Sequence, residues 1–281
     1  MRSPLVLSIA VLAVLPAALG CAGTVSGSAE TADAETATTS AIVVVSRTSD
    51  ASQGSSGEAS ARFIRVAAPS STQDALRAIG AALDLPARGT CASLGSLPVS
   101  LPARTPFIEL MDVGPVSLEA DGMQTRLLPR QLPDVTDVVS GVVYARTADP
   151  SSLPASTRYV VHVGGSRDRA PLDLSATAPA DPSEVRIASE DSSGVVVASG
   201  AWVNFAWTPE ASDETVYVDL RPSGVRCAFE DVGLAAVSTL YLDGAGTLVV
   251  HRLRRERVSS PGIDSTEVRF DFARTVSYVR R

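Results

Sequence analysis

The chain has 281 residues, 45% hydrophobic and 20% charged, which is enough apolar material for one large β domain or two domains of ordinary size. All 24 basic residues are arginine against 31 acids, a formal charge of −7, so Schiff-base, P-loop and general-base lysines are excluded. A net acidic chain also lacks the positive footprint that displaces counterions, and no nucleic-acid partner is expected.

In chain order, the first pattern is an address. Met1-Arg2 leads into the apolar run Leu5 to Leu15, then Pro16-Ala17-Ala18-Leu19-Gly20-Cys21. The run is shorter than the roughly 20 residues a membrane span needs and has the anatomy of a secretory signal. Ala18-Leu19-Gly20-Cys21 resembles the lipobox of bacterial lipoproteins, with Ala18 where leucine is more usual. The resemblance implies that residues 1–20 are removed and that Cys21 becomes the first mature residue, carrying acyl chains such as palmitate. It also implies export and a membrane anchor on the cell envelope; Ala22 rather than Asp after the cysteine implies the outer membrane where the host has two. Ordinary signal-peptidase cleavage after a small residue is the alternative.

Residues 21–40 hold one valine and no other large apolar side chain, so they are expected to form a disordered tether spanning roughly 25 Å. Ile42 to Val45 and Phe63 to Val66 read as strands flanking a polar loop, Ser49 to Ser60. One helix has start signals: Ser71-Thr72-Gln73-Asp74 has capping-box spacing, and Leu76, Ile79 and Leu83 share a helical face before Pro86, placing it near 72–84. The rest alternates between short β-prone runs and turns such as Asp121-Gly122 and Asp243-Gly244, with Thr239 to Leu242 among the candidate strands. Val203, Phe205 and Trp207 form one period-two face, and Val268, Phe270 and Phe272 another, with Glu267, Arg269 and Asp271 on its charged reverse.

The expected fold class is therefore mainly β, an antiparallel β-sandwich in two lobes with one short helix. Residues 41–180 form the N-terminal lobe, Ala178 to Ser183 reads as a linker, and 184–281 form a sandwich with the size and strand count of an immunoglobulin-like or fibronectin-like domain. That likeness is architectural, because an intra-domain cysteine pair is missing. With Cys21 lipidated, Cys91 and Cys227 remain, one per half, and in an exported protein such a pair reads as a disulfide. The alternative is two thiols, with Cys227 simply in the core.

Motifs for catalysis, metal or a cofactor are absent from the sequence. His162 and His251 are the only histidines, and neither has a second ligand at metal spacing. Gly164-Gly165-Ser166-Arg167-Asp168 departs from the nucleophile elbow and reads as a strand-end turn. The acidic pairs Glu190-Asp191 and Glu230-Asp231 read as solvated edges. One charge anomaly stands out: Arg252, Arg254, Arg255 and Arg257 lie together, candidates for contact with an anionic ligand, with a charged edge strand as the plain alternative. The reading is a lipid-anchored, non-catalytic binding or structural module. Its partners would be the membrane through Cys21 and envelope polysaccharide, lipid headgroups or a protein. A β-sandwich hydrolase and an accessory lipoprotein of an envelope assembly complex are the competing readings.

Overall fold

The computed structural model describes residues 37–50, 54–67, 71–95, 108–132, 139–187, 197–198, 200–210 and 214–280. The expectations for the signal, for Cys21 and for residues 22–36 of the tether lie outside these residues; Thr38 to Ser40, expected in the tether, instead begin the first strand, paired opposite Ile64 to Val66 with Ser40 buried. The first half contains β1 (Thr38–Asp50), β2 (Gly54–Val66), helix α1 (Thr72–Ala78), β3 (Thr90–Ser93), β4 (Ile108–Leu110) and β5 (Val116–Ala120). It continues with β6 (Met123–Leu132), β7 (Val139–Ala148), β8 (Arg158–Val163) and β9 (Leu172–Thr177). The second half contains β10 (Arg186–Ile187), β11 (Val197–Ala198), β12 (Trp202–Ala206), β13 (Thr215–Arg221) and β14 (Val225–Glu230). It ends with β15 (Leu234–Ser238), β16 (Ala245–Arg257) and β17 (Ser265–Arg280). Among the described residues the protein is mostly strand with one α-helix, and no closed barrel forms.

One long sheet runs β14-β13-β16-β17-β1-β2-β7-β6, with β4 wedged beside β2 and β7. Residues 128–132 of β6 pair with β7 and residues 123–127 with β5, so this strand turns the corner into a second layer, β6-β5-β8-β9. The sheet joins the two halves of the sequence through β1 and β17, which run parallel from Ser40 opposite Ser265 to Asp50 opposite Thr275. Two layers stack on one face of it. Under β5, β8 and β9 lies a core of Val43, Val45, Phe63, Tyr159, Val161, Leu174, Val268, Phe270 and Phe272. Under the three-stranded sheet β10-β12-β15 lies a second, of Val203, Phe205, Trp207, Val216, Val218, Leu248 and Val250. Both period-two faces of the sequence point into these cores.

Several expectations are corrected. The polar stretch 49–60 is mostly strand, because β1 and β2 stay in register out to Asp50 opposite Gly54 and the small Gly57 and Ala59 fit beneath the sandwich. Helix α1 starts as expected, with Asp74 N–H donating to Ser71 Oγ at 3.1 Å, but ends at Ala78 because Gly80 adopts φ +66°. The chain then crosses the outer face of the sheet, where Leu83 and Leu85 pack on Tyr217 and Leu253. Thr239–Tyr241 is a 3-10 turn rather than a strand, since Ser238 Oγ accepts from Leu240 N–H; the strand precedes it, as β15. Ala178 to Ser183 is no loose linker: Ala178 is buried, and the Ala180 and Asp181 carbonyls accept from Arg252.

Candidate functional site

The run of four arginines does not form one patch. On a strand, successive side chains alternate between faces, so Arg252 and Arg254 point into the sandwich with Val250, while Arg255 and Arg257 point the other way. Arg252 is 1% exposed. Its Nε lies 2.9 Å from Asp231 Oδ2, and Nη2 donates to the Thr208 carbonyl at 2.5 Å. Asp231 also accepts from Trp207 Nε1 at 2.5 Å and from Glu210 N–H at 3.1 Å. Beside it, Arg254 pairs with Glu214 and Glu210. Burial raises the Glu214 carboxyl above the usual carboxylate range, against the pull of the Arg254 hydrogen bond. A groove of about 390 Å³ opens here, lined by both signs: Arg88, Arg254 and Arg255 with Glu214 and Glu256. Arg255 meets the Leu83 carbonyl and lies near Glu267, and Arg257 is exposed.

The two histidines sit in separate acidic settings. His251 Nδ1–H donates to Asp271 at 2.8 Å, and the ring stacks on Tyr217 at 4.1 Å. Tyr217 O–H donates to the same carboxylate at 2.6 Å. Desolvation alone would raise Asp271, yet the hydrogen bonds from His251 and Tyr217 hold it below the usual carboxylate range. Burial drives the Tyr217 phenol well above its ordinary value. Arg226 completes the group, bidentate to Asp219 at 2.6 and 2.8 Å and over the Tyr217 ring. No serine hydroxyl is hydrogen-bonded to either histidine among the described residues.

His162 lies on the outer face of the β5-β8-β9 layer between Asp173 (2.8 Å) and Glu119 (3.1 Å). The Asp173 hydrogen bond is the main cause that raises its pKa above the usual value of 6.5. A raised base binds its proton more tightly in the folded state. The small stabilisation is therefore complete below about pH 6.5 and is lost as pH rises through the higher, folded-state pKa. Asp173→Asn is expected to bring the His162 midpoint back down, read from its ring proton shifts by NMR; an unmoved midpoint would count against this pair.

Cys91 and Cys227 are joined, 136 residues apart. The bond fastens β3 along β14, where Gly89 N–H donates to Ala228 and Leu94 N–H to Gly224. Among the described residues no group of three His, Cys, Asp or Glu is placed to hold a metal.

What sequence reasoning missed is a surface. The outward residues of β5, β8 and β9 include Glu119, Arg158, His162 and Asp173, an ordinary solvated face. The outward residues of β12 and β15 are Trp202, Asn204, Ala206, Leu234, Ala236 and Ser238, without a charge. Trp202 is 63% exposed and Leu234 61%, and at the two ends of β15 Val232 is 62% and Leu240 83% exposed. The signal was present in the alternation of Trp202-Val203-Asn204-Phe205, whose polar face carries a tryptophan.

No family model matches the chain, and no curated protein matches it in sequence. Among solved structures it is similar to a bacterial ice-binding adhesin involved in host cell surface retention, at 16% identity over 86% of this chain and 65% of that one, with a TM-score of 0.19. It is also similar to a Ca²⁺-stabilized, ice-binding adhesin of an Antarctic bacterium (15% identity, 85% and 49% covered, TM-score 0.21). A third is the Fcho1 Mu homology domain of Danio rerio with bound Eps15 peptide (10% identity, 85% and 97% covered, TM-score 0.25). The chain thus spans less than two thirds of either adhesin chain, and all three superpose poorly over its whole length.

Proposed function

We propose that the protein is a lipid-anchored bacterial envelope protein whose β-sandwich serves as a non-catalytic binding module. The observation that carries this is the uncharged, exposed face of β12 and β15, with Trp202 and Leu234 open to solvent in a chain that solvates its other outer layer with charge. The covalent Cys91–Cys227 bond supports an oxidising compartment, and the Ala18-Leu19-Gly20-Cys21 motif supports acylation. Arg252 and Arg254 are held in internal ion pairs and Arg255 and Arg257 lie on the reverse face, so binding at this layer rests on apolar contact. An accessory role in an envelope assembly would use the same face and is the second reading.

Two measurements test this. Cys21→Ser is expected to abolish incorporation of labelled palmitate and to release the protein from membranes; unchanged labelling sinks the anchor. Trp202→Glu is expected to lower the yield of crosslinked partner in intact envelopes several-fold while leaving the melting temperature unchanged, since the ring is mostly exposed. Equal crosslinking in the variant removes this face from the proposal.

A further inference from the structure

The outer edge of β15 differs from the other sheet margins described. The edge of β14 is closed by β3 and the disulfide. That of β9 carries Asp173, and its Thr177 N–H is capped by Glu256. β10 is two residues long and bears Arg186. These are the usual devices against edge-to-edge association. β15 reads Leu-Ala-Ala-Val-Ser, with no charge and no proline, and pairs only with β12 among the described residues. Thr239 N–H donates to Ala201 and Trp207 N–H to Gly233, which fixes the alternation of the ladder. Ala235 and Val237 therefore exchange hydrogen bonds with β12, and the backbone N–H and C=O groups of Leu234, Ala236 and Ser238 point away from it.

We propose that this edge pairs with the same edge of a second copy of the chain, antiparallel about a two-fold axis at Ala236, making one continuous sheet of the two β10-β12-β15 layers. The inference goes beyond the reading of the β12–β15 face as a binding face, because edge pairing leaves that face open and continues it across the two copies. The edge is self-complementary in this register. Ala236 meets Ala236, and Leu234 of each copy lies beside the small Ser238 of the other, itself flanked by Trp202 on β12. The register also carries Val232, 62% exposed, toward Leu240 of the second copy, 83% exposed. A two-fold contact requires a patch that tolerates its own copy. In a chain with a net charge of −7 that patch must be free of acids, and the outward residues of β12 and β15 are.

The full chain, purified in detergent micelles, is expected to show a concentration-dependent monomer–dimer equilibrium in analytical ultracentrifugation. Ala236→Pro removes an N–H that β12 does not use, and it is expected to weaken the dimer by roughly tenfold or more. Leu234→Arg, an exposed change that leaves the backbone alone, is expected to do the same, so the test survives if the proline variant fails to fold. Ala236→Cys is expected to give a disulfide-linked dimer on mild oxidation, because hydrogen-bonded antiparallel partners have Cα atoms about 5.5 Å apart. A chain that stays monomeric up to roughly 1 mM overturns self-pairing; so does a dimer that neither Ala236→Pro nor Leu234→Arg weakens. If the chain is monomeric yet Trp202→Glu still loses its crosslinked partner, the binding module stands and its occupant is another protein.

Discussion

Arg252→Met is expected to lower the unfolding free energy by about 3–5 kcal/mol, the cost of leaving the other member of a buried ion pair uncompensated. The Asp231 side chain is 0% exposed and that of Arg252 1%, so water cannot replace the lost partner. Three chain segments also lose their common donor: the Ala180 and Asp181 carbonyls, the Thr208 carbonyl and the Asp231 carboxylate all receive N–H groups from this one guanidinium. Methionine fills much of the volume but donates nothing. Urea unfolding followed by tryptophan fluorescence measures the change, and Trp207 reports on the place, since its Nε1 shares Asp231. Arg257→Met, on the exposed end of the same strand, is the control and should stay within about 0.5 kcal/mol. Adding Asp231→Asn to Arg252→Met should recover part of the loss, because the amide oxygen still accepts from Trp207 and the fully buried Asp231 charge is gone. A loss for Arg252→Met no larger than the control would mean that this ion pair does not hold the junction between the halves.

The same arginine marks where sequence reasoning succeeds and fails. Period-two patterning around Phe270 and Trp207 identified both cores, because in those strands every inward position is apolar and burial is decided locally. Arg252 and Arg254 break that rule while occupying inward positions two and four residues after Val250, so a count of charges reads as a surface patch what the strand alternation places inside. Their partners Glu210, Glu214 and Asp231 come from separate loops and strand ends, and no local pattern marks them as buried. Asp231 in particular sits next to exposed Glu230, and composition gives both the same role. The stretch 178–183 has linker composition, but its order comes from a guanidinium about seventy residues away. The polar residues 54–60 look like a loop for a related reason: backbone pairing with β1 and the fit of Gly57 and Ala59 replace large apolar side chains as the reason for order. The face of β12 and β15 was legible in part. Alternation places Trp202 outward, but only the register with β15 shows that its neighbours are Ser238 and Ala236 rather than charges.

Removing the disulfide should cost as much as removing Arg252, through a different state of the chain. Cys91→Ala with Cys227→Ala opens a loop of 136 residues, for which the chain-entropy model gives about 4–5 kcal/mol, exerted mainly on the unfolded ensemble. The native consequence is local. Cys227 belongs to the second core, whereas Cys91 lies on β3, a four-residue strand at the margin of the long sheet, with Gly89 N–H donating to Ala228 and Leu94 N–H to Gly224 at its two ends. Without the covalent link this short marginal strand is expected to open more readily, uncovering β14, an edge of the long sheet. Hydrogen exchange separates the two effects. Amides of β13, β16 and β17 should exchange faster by the global destabilisation alone, whereas those of residues 88–94 should exchange through local opening at low denaturant. Uniform protection across residues 88–94 and the sheet would mean that packing, rather than the bond, closes this edge. With the edge of β14 freed, the double variant would also present a second open strand beside β15, so faster self-association than the parent chain is expected, in proportion to the exchange at residues 88–94.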